Sequence, residues 1–368
     1  MSRLLKTNRM ERGTVRSDHG FTMIEMMVSV AIFAVVTLAA FAVLSSSQTT
    51  SVTMDQTVQI QQNVRMALDL MTRDIRMTGY ANPPAGTLAG CAQHMNAVDN
   101  NPAGADAGPD SISVVTMDQQ IGTLGVAFPP PPGNVITLSG ALPSDLAVGQ
   151  VVSLDGVLTG SVSAFNIAAK TITLMQPGTI IALNAIPPAN FQIGAPVVRL
   201  TCVTYAVSDA NGQVGGVNVT NPPIPFQLIR NGVPMVDGIE SLQLAYGIDA
   251  NSDGILDDQN GNNIVDCIDF VPNNTPCLQG GVLLAAGTVN AIPATVNATP
   301  TSVRLARITV VGRAVPPTNA NVVGSTWSDP TYTGNSAIQA EDQFIAATAG
   351  VRRRALTRVV NLRDASIL

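Results

Sequence analysis

Hydrophobic positions along this chain fall into two regimes. From Phe21 to Leu44 almost every residue is apolar, and the only formal charge is Glu25. The run contains neither Gly nor Pro. It is about as long as the ~20 apolar residues that cross a bilayer as helix. Residues 45–53 are Ser, Thr and Gln rich, poor helix formers that mark the exit from a membrane. Beyond them Ile60, Val64, Ala67, Leu68, Met71 and Ile75 recur at helical spacing. Arg65, Asp69 and Arg73 form an i, i+4 ladder beside that stripe. No Gly or Pro occurs between Phe21 and Thr78. The pattern therefore predicts one helix over about 22–77, roughly 80 Å long at 1.5 Å per residue. Its first half is apolar all round. Its second half is amphipathic and lays its stripe on a sheet. Gly79 ends it, and Asn82-Pro83-Pro84 cannot continue it.

After residue 110 the period shortens. Short β-branched runs at 111–117, 135–138, 151–154, 171–174 and 197–207 read as strands. Residues 81–110 are rich in Pro, Gly, Ala and Asn and read as loop. The four prolines at 129–132 form a stiff extended linker. The segment 134–200 reads as a small β-module inserted into the main sheet. Residues 226–232 and 236–247 read as a strand, a tight turn and a second strand. Residues 303–312 and 356–362 would complete the sheet. No repeat of domain size occurs. The fold class is thus α+β: a long N-terminal helix on an antiparallel β-sheet domain.

Charge orients this architecture. Residues 1–20 carry Arg3, Lys6, Arg9, Arg12 and Arg16 against Glu11 and Asp18. Basic residues beside a membrane segment stay cytoplasmic, so the remainder is expected on the far side. A secretory signal peptide has its small-residue cleavage site after the apolar core; here the small residue, Gly20, lies before it. The whole chain carries −6. The leader contributes +3, which leaves −9 for the body. An acidic exported body argues against nucleic acid as a partner. Charged residues make up only 12%, while Gly (31) and Pro (24) are abundant, as suits a β- and loop-rich exported domain.

Gly20-Phe21-Thr-Met-Ile-Glu25 followed by an apolar run resembles a type IV prepilin cleavage and methylation site. The resemblance implies that a prepilin peptidase cuts between Gly20 and Phe21 and that the new amino group of Phe21 is methylated. It implies further that Glu25 neutralises the N-terminal amine of a neighbouring subunit in a filament. A carboxylate in an apolar phase needs such a cationic partner. Residues 63–80, ending in Gly79-Tyr80, are similar to the second half of the long helix in PilW-type minor pilins. The stretch 146–155 and the two stretches 226–232 and 236–247 resemble the same family. The implied partners are the peptidase, other minor and major pilins and the inner-membrane assembly platform. The implied role is initiating pilus assembly near the filament tip. The implied location is a single pass of the inner membrane with the C-terminal domain in the periplasm, then the pilus surface. A pseudopilin of a type II secretion system is the first alternative. A calcium-dependent tip adhesin or surface sensor is the second.

The calcium alternative comes from residues 249–269. Calcium takes six to eight hard oxygens, which closely spaced carboxylates and amides in one loop can supply. Counted from Asp249, oxygen side chains fall at positions 1, 3, 5 and 9 (Asp249, Asn251, Asp253, Asp257), with Gly254 at 6. Position 12 is Asn260 rather than the bidentate Glu of an EF-hand. Counted from Asp258, they fall at 1, 3, 5, 9 and 12: Asp258, Asn260, Asn262, Asp266 and Asp269. The same composition also suits an acidic surface turn. Cys91, Cys202, Cys267 and Cys277 all lie beyond the membrane run and suit disulfides in an oxidising compartment. Three pairings are open. Cys267 and Cys277 flank a Pro-bearing loop and could join locally, leaving Cys91 with Cys202. No nucleophile elbow, phosphate loop or dinucleotide fingerprint occurs, and His94 is the one histidine after the leader. The chain is not expected to be an enzyme. Arg352–Arg354, Arg358 and Arg363 form a basic C-terminal cluster, either a solvated strand edge or a patch for an acidic neighbour.

The organisation expected is therefore a basic leader (1–20), a membrane or filament-core helix (21–44), its amphipathic continuation (45–79) and a β-rich domain (80–368) holding the module 134–200 and the acidic loop 249–269.

Overall fold

A computed structural model describes residues 21–78, 88, 90–91, 95–98, 108–128, 134–156, 158–175, 181–182, 191–221, 223–251, 253–258, 270, 277–279, 282–284, 302–314, 338–340, 343–345 and 351–362. One helix, Met23–Arg76, opens the described chain. By contacts the chain divides into two units, Met1–Met54 and Asp55–Leu368.

Among its described residues, the first unit is helix from Met23 onward. Its described side chains are exposed throughout, apart from half-buried Thr37 and Thr53. Its apolar stretch is long enough to cross a membrane. Three of its hydroxyls turn back onto the helix: Ser29 Oγ donates to the Glu25 carbonyl (2.7 Å), Thr37 Oγ1 to that of Phe33 (2.7 Å) and Thr50 Oγ1 to that of Ser46 (2.9 Å). Such back-bonding lets a polar side chain exist where no water is available.

The second unit begins where the helix gains a buried stripe. Ile60, Val64, Ala67, Leu68, Met71 and Ile75 are all at most 4% exposed, as their spacing predicts. They enter one core with Val114, Tyr205, Leu228, Leu242, Ile308 and Val310. Two antiparallel sheets feed that core. In one, Val303–Arg313 lies between Ile239–Ile248 and Arg353–Asn361. In the other, Pro196–Val207 pairs along Ser111–Thr123 on one side, and with Val151–Leu154 and Gln227–Arg230 on the other.

The expectation of a single strand over 236–247 is corrected. The hairpin runs from Gln227–Arg230 back along Val233–Asp237. Gly238 then turns the chain at φ 72°, a conformation open to Gly, and Ile239–Ile248 joins the smaller, three-stranded sheet with Val303–Arg313 and Arg353–Asn361. The expectation that 303–312 and 356–362 complete one sheet fails for the same reason, since they belong to the smaller sheet. The stretch 81–110 also contains a strand, Met95–Val98, paired with the first residues of Ser111–Thr123.

The larger sheet closes on itself at one end. From Ser111–Thr123 the ladder passes to Pro196–Val207, Val151–Leu154, Leu158–Asn166, Thr171–Leu174 and Val135–Thr137. It then returns to the start through the bridge Leu124 to Leu138. Gly125 N donates to Thr137 O (2.8 Å) and Ser139 N to Thr123 O (2.9 Å), completing the ring. The result is a small antiparallel barrel. Leu124, Phe128, Ile136, Leu138, Val152, Leu154, Leu158, Ile172 and Phe191 fill it as a second core. Barrels of this size are packed solid by their own side chains. The disulfide Cys91–Cys202 lies beside the barrel in a third cluster with Val115, Val151, Val198 and Leu200.

Candidate functional site

The N-terminal end of the helix is built by two residues. Thr22 precedes the first helical turn and Glu25 closes it. Thr22 N donates to Glu25 Oε2 (2.9 Å), Thr22 Oγ1 reaches the same oxygen (3.1 Å), and Glu25 N donates to Thr22 Oγ1 (3.3 Å). This reciprocal arrangement is a capping box, which satisfies two of the amide donors that a helix leaves open. Thr22-x-x-Glu25 is its sequence signature. Glu25 also places a negative charge at the positive end of the helix dipole. Both bonds fall on Oε2. Phe21, beside the cap, is 82% exposed. Gly20 lies outside the described residues. What the geometry offers is a carboxylate held at the tip of an apolar helix, four residues from the position that peptidase cleavage would convert into an amine.

A second polar centre fastens the far end of the same helix within the second unit. Asp74 Oδ2 accepts from Tyr205 Oη (2.7 Å) and Arg230 Nε (2.9 Å). Burial raises the pKa of the Tyr205 phenol, and the Asp74 carboxylate beside it raises it further. Asp69 does not complete a ladder with Arg65 and Arg73. Its ion pair is with Arg358 on Arg353–Asn361 (2.5 Å).

Two of the C-terminal arginines, Arg353 and Arg358, are engaged in ion pairs within the chain. Arg353 grips Glu240 through two bonds of 2.6 and 2.8 Å, and its side chain is 4% exposed. Arg354 is exposed. Arg363 lies outside the described residues.

Of the acidic loop, the described part is organised from inside the chain. Asp249 is fully buried. Its Oδ2 accepts from Arg304 Nε (2.9 Å) and Gly254 N (3.1 Å), and its Oδ1 from Asp253 N (3.1 Å). Burial pushes the Asp249 carboxyl pKa up, but Arg304 and the two amides outweigh it and hold the group below its ordinary value. Asn251 Nδ2 donates to Asp253 Oδ2 (2.9 Å), and Asp257 Oδ2 accepts from Ala250 N (2.9 Å). Asp258 is described and has a partner. Among the described residues no three acidic, His or Cys side chains converge as a metal-holding group. Asn260, Asn262, Asp266 and Asp269 lie outside the described residues, as do Cys267 and His94.

A single exposed apolar helix leading into an antiparallel β domain is consistent with a pilin-like α+β fold. Residues 15–41 match the prokaryotic N-terminal methylation motif. That match supports a type IV pilin-type protein, processed by prepilin peptidase and associating with other pilins and a membrane. No curated protein and no solved structure matches the chain.

Proposed function

We propose that this chain is a minor pilin of the PilW type that helps to initiate type IV pilus assembly and remains near the filament tip. The observation that carries the reading is the capped Glu25 at the end of an exposed apolar helix inside the matched motif. In this reading cleavage after Gly20 frees the amine of Phe21. Glu25 of one subunit then meets the amine of the next. Thr22 orients the carboxylate through Oε2 and leaves Oε1 to face the incoming ammonium. The apolar flanks of Met23–Leu44 pack subunit against subunit as they leave lipid. The cysteine pairing supports an oxidising compartment for the second unit.

N-terminal analysis of the mature protein should find a methylated Phe21 at the start; any other start overturns the reading. Glu25→Ala should abolish incorporation into filaments while leaving processing intact. A pseudopilin of a secretion system would pass both tests, and loss of pili on deletion separates the two. The adhesin alternative requires Asp249 to exchange Arg304 for calcium. It would show as a calcium-dependent rise in melting temperature that Asp253→Ala/Asp258→Ala removes.

A further inference from the structure

A groove of about 880 Å³ runs beside the last turns of the helix, within the second unit. This is the size of a ligand cleft, ~300–1,000 Å³. Its helical wall spans 69–76, Met77 follows in the turn, and its other walls come from Thr116–Asp118, Thr201, Arg230, Met235 and Arg358. Its charges are unequally engaged. All three of its carboxylates have cationic partners: Asp69 with Arg358, Asp74 with Arg230, Asp118 with Arg199. Arg73 and Arg76 are exposed and, among the described residues, have no carboxylate in ion-pair range. The groove therefore presents two uncommitted cations, flanked by the adaptable side chains of Met77, Met117 and Met235.

We infer that this groove binds an acidic, extended segment of a partner subunit. Three features select that class. The helical wall is about 12 Å long at 1.5 Å per residue, which matches roughly four residues of extended chain at ~3.3 Å each. Arg73 and Arg76 are three apart on a helix, about 5–6 Å between their Cβ atoms. Alternate side chains of an extended strand lie on one face at about 6.6 Å, so carboxylates at i and i+2 reach both guanidiniums. Guanidinium–carboxylate pairs of this kind are the stronger, geometrically specific ones. Nucleic acid is disfavoured by the same count. Its affinity is built on many phosphate contacts, and here two free cations stand among three carboxylates. The inference rests on the reading of the chain as a subunit among subunits, but it fails separately, because binding is measured on the free protein.

The test uses the full-length mature chain in detergent micelles and a short oligoglutamate peptide carrying a fluorophore. Wild type should bind it, and Arg73→Gln/Arg76→Gln should bind about tenfold more weakly or worse. Arg354→Gln removes an exposed cation outside the groove and should leave binding unchanged. Melting temperatures of the variants should match wild type, since neither arginine of the pair is buried. Equal binding by all three proteins, or no binding by wild type, overturns the inference. So does displacement of the peptide by a single-stranded oligonucleotide of matched charge more readily than by unlabelled oligoglutamate. If Phe21 is found at the mature N-terminus while the peptide does not bind, only the groove assignment falls.

Discussion

At the scale of single residues, Asp249 and Arg304 show how a polar motif is used structurally. The carboxylate is fully buried and depends on one guanidinium and two amides. Removing one partner of a buried pair costs roughly 3–5 kcal/mol, because the other charge is left without compensation. Arg304→Met should therefore lower the melting temperature sharply, while Asp249→Asn/Arg304→Met should recover part of the loss. The pH dependence has a definite sign. The Asp249 carboxyl titrates below its unfolded value, so its contribution is present above about pH 4 and fades as pH falls through the lowered folded value. Melting curves should show an acid limb below about pH 4 that is shallower in Asp249→Asn. The sequence pattern Asp-x-Asn-x-Asp marked 249–253 as a polar centre. It could not show that the cation nearest Asp249 is an arginine 55 positions away. For the same reason, the local ladder read for Asp69 gave way to Arg358, 289 residues on. Helical spacing sees neighbours three and four apart; only the fold brings distant charges together.

At the scale of elements, the helix was the most legible part. A 3.6-residue stripe without Gly or Pro gave its extent to within a residue at each end, and the six stripe positions are all buried. Strands rich in β-branched residues were legible too: 151–154 and 171–174 coincide with Val151–Leu154 and Thr171–Leu174. Leu158–Asn166 was missed because Gly160, Ser161, Ser163 and Asn166 have low strand propensity, and closure of the ring holds it as strand. The helix crosses the central strand of the smaller sheet at Gly312. A Cβ there would fall inside the van der Waals shell of Val64 Cγ2 and lie 3.1 Å from Ile60 Cγ2. Gly312→Ala should destabilise the chain by about 1–3 kcal/mol through overpacking. Val64→Ala on that background should restore part of the loss; denaturant midpoints of the four proteins measure the coupling.

At the scale of the whole molecule, Cys91–Cys202 spans 111 residues and encloses the barrel segment. Cross-links across loops of that length stabilise by about 2–4 kcal/mol, chiefly by restricting the unfolded chain. Cys91→Ala/Cys202→Ala should lower the free energy of unfolding by that amount, read from denaturant midpoints, and a reductant should lower it more in wild type than in the variant. The ring itself has a separate consequence. An unpaired strand edge invites pairing with any other chain, and that invitation is most dangerous for a protein kept at high local density beside copies of its relatives. Here the return bridge from Leu124 to Leu138 leaves the ring without a loose selvage. On the smaller sheet, the outer strand Arg353–Asn361 bears Arg353, Arg354 and Arg358, a charged hem that resists stacking. Stray strand-to-strand growth is thus discouraged in both of these places.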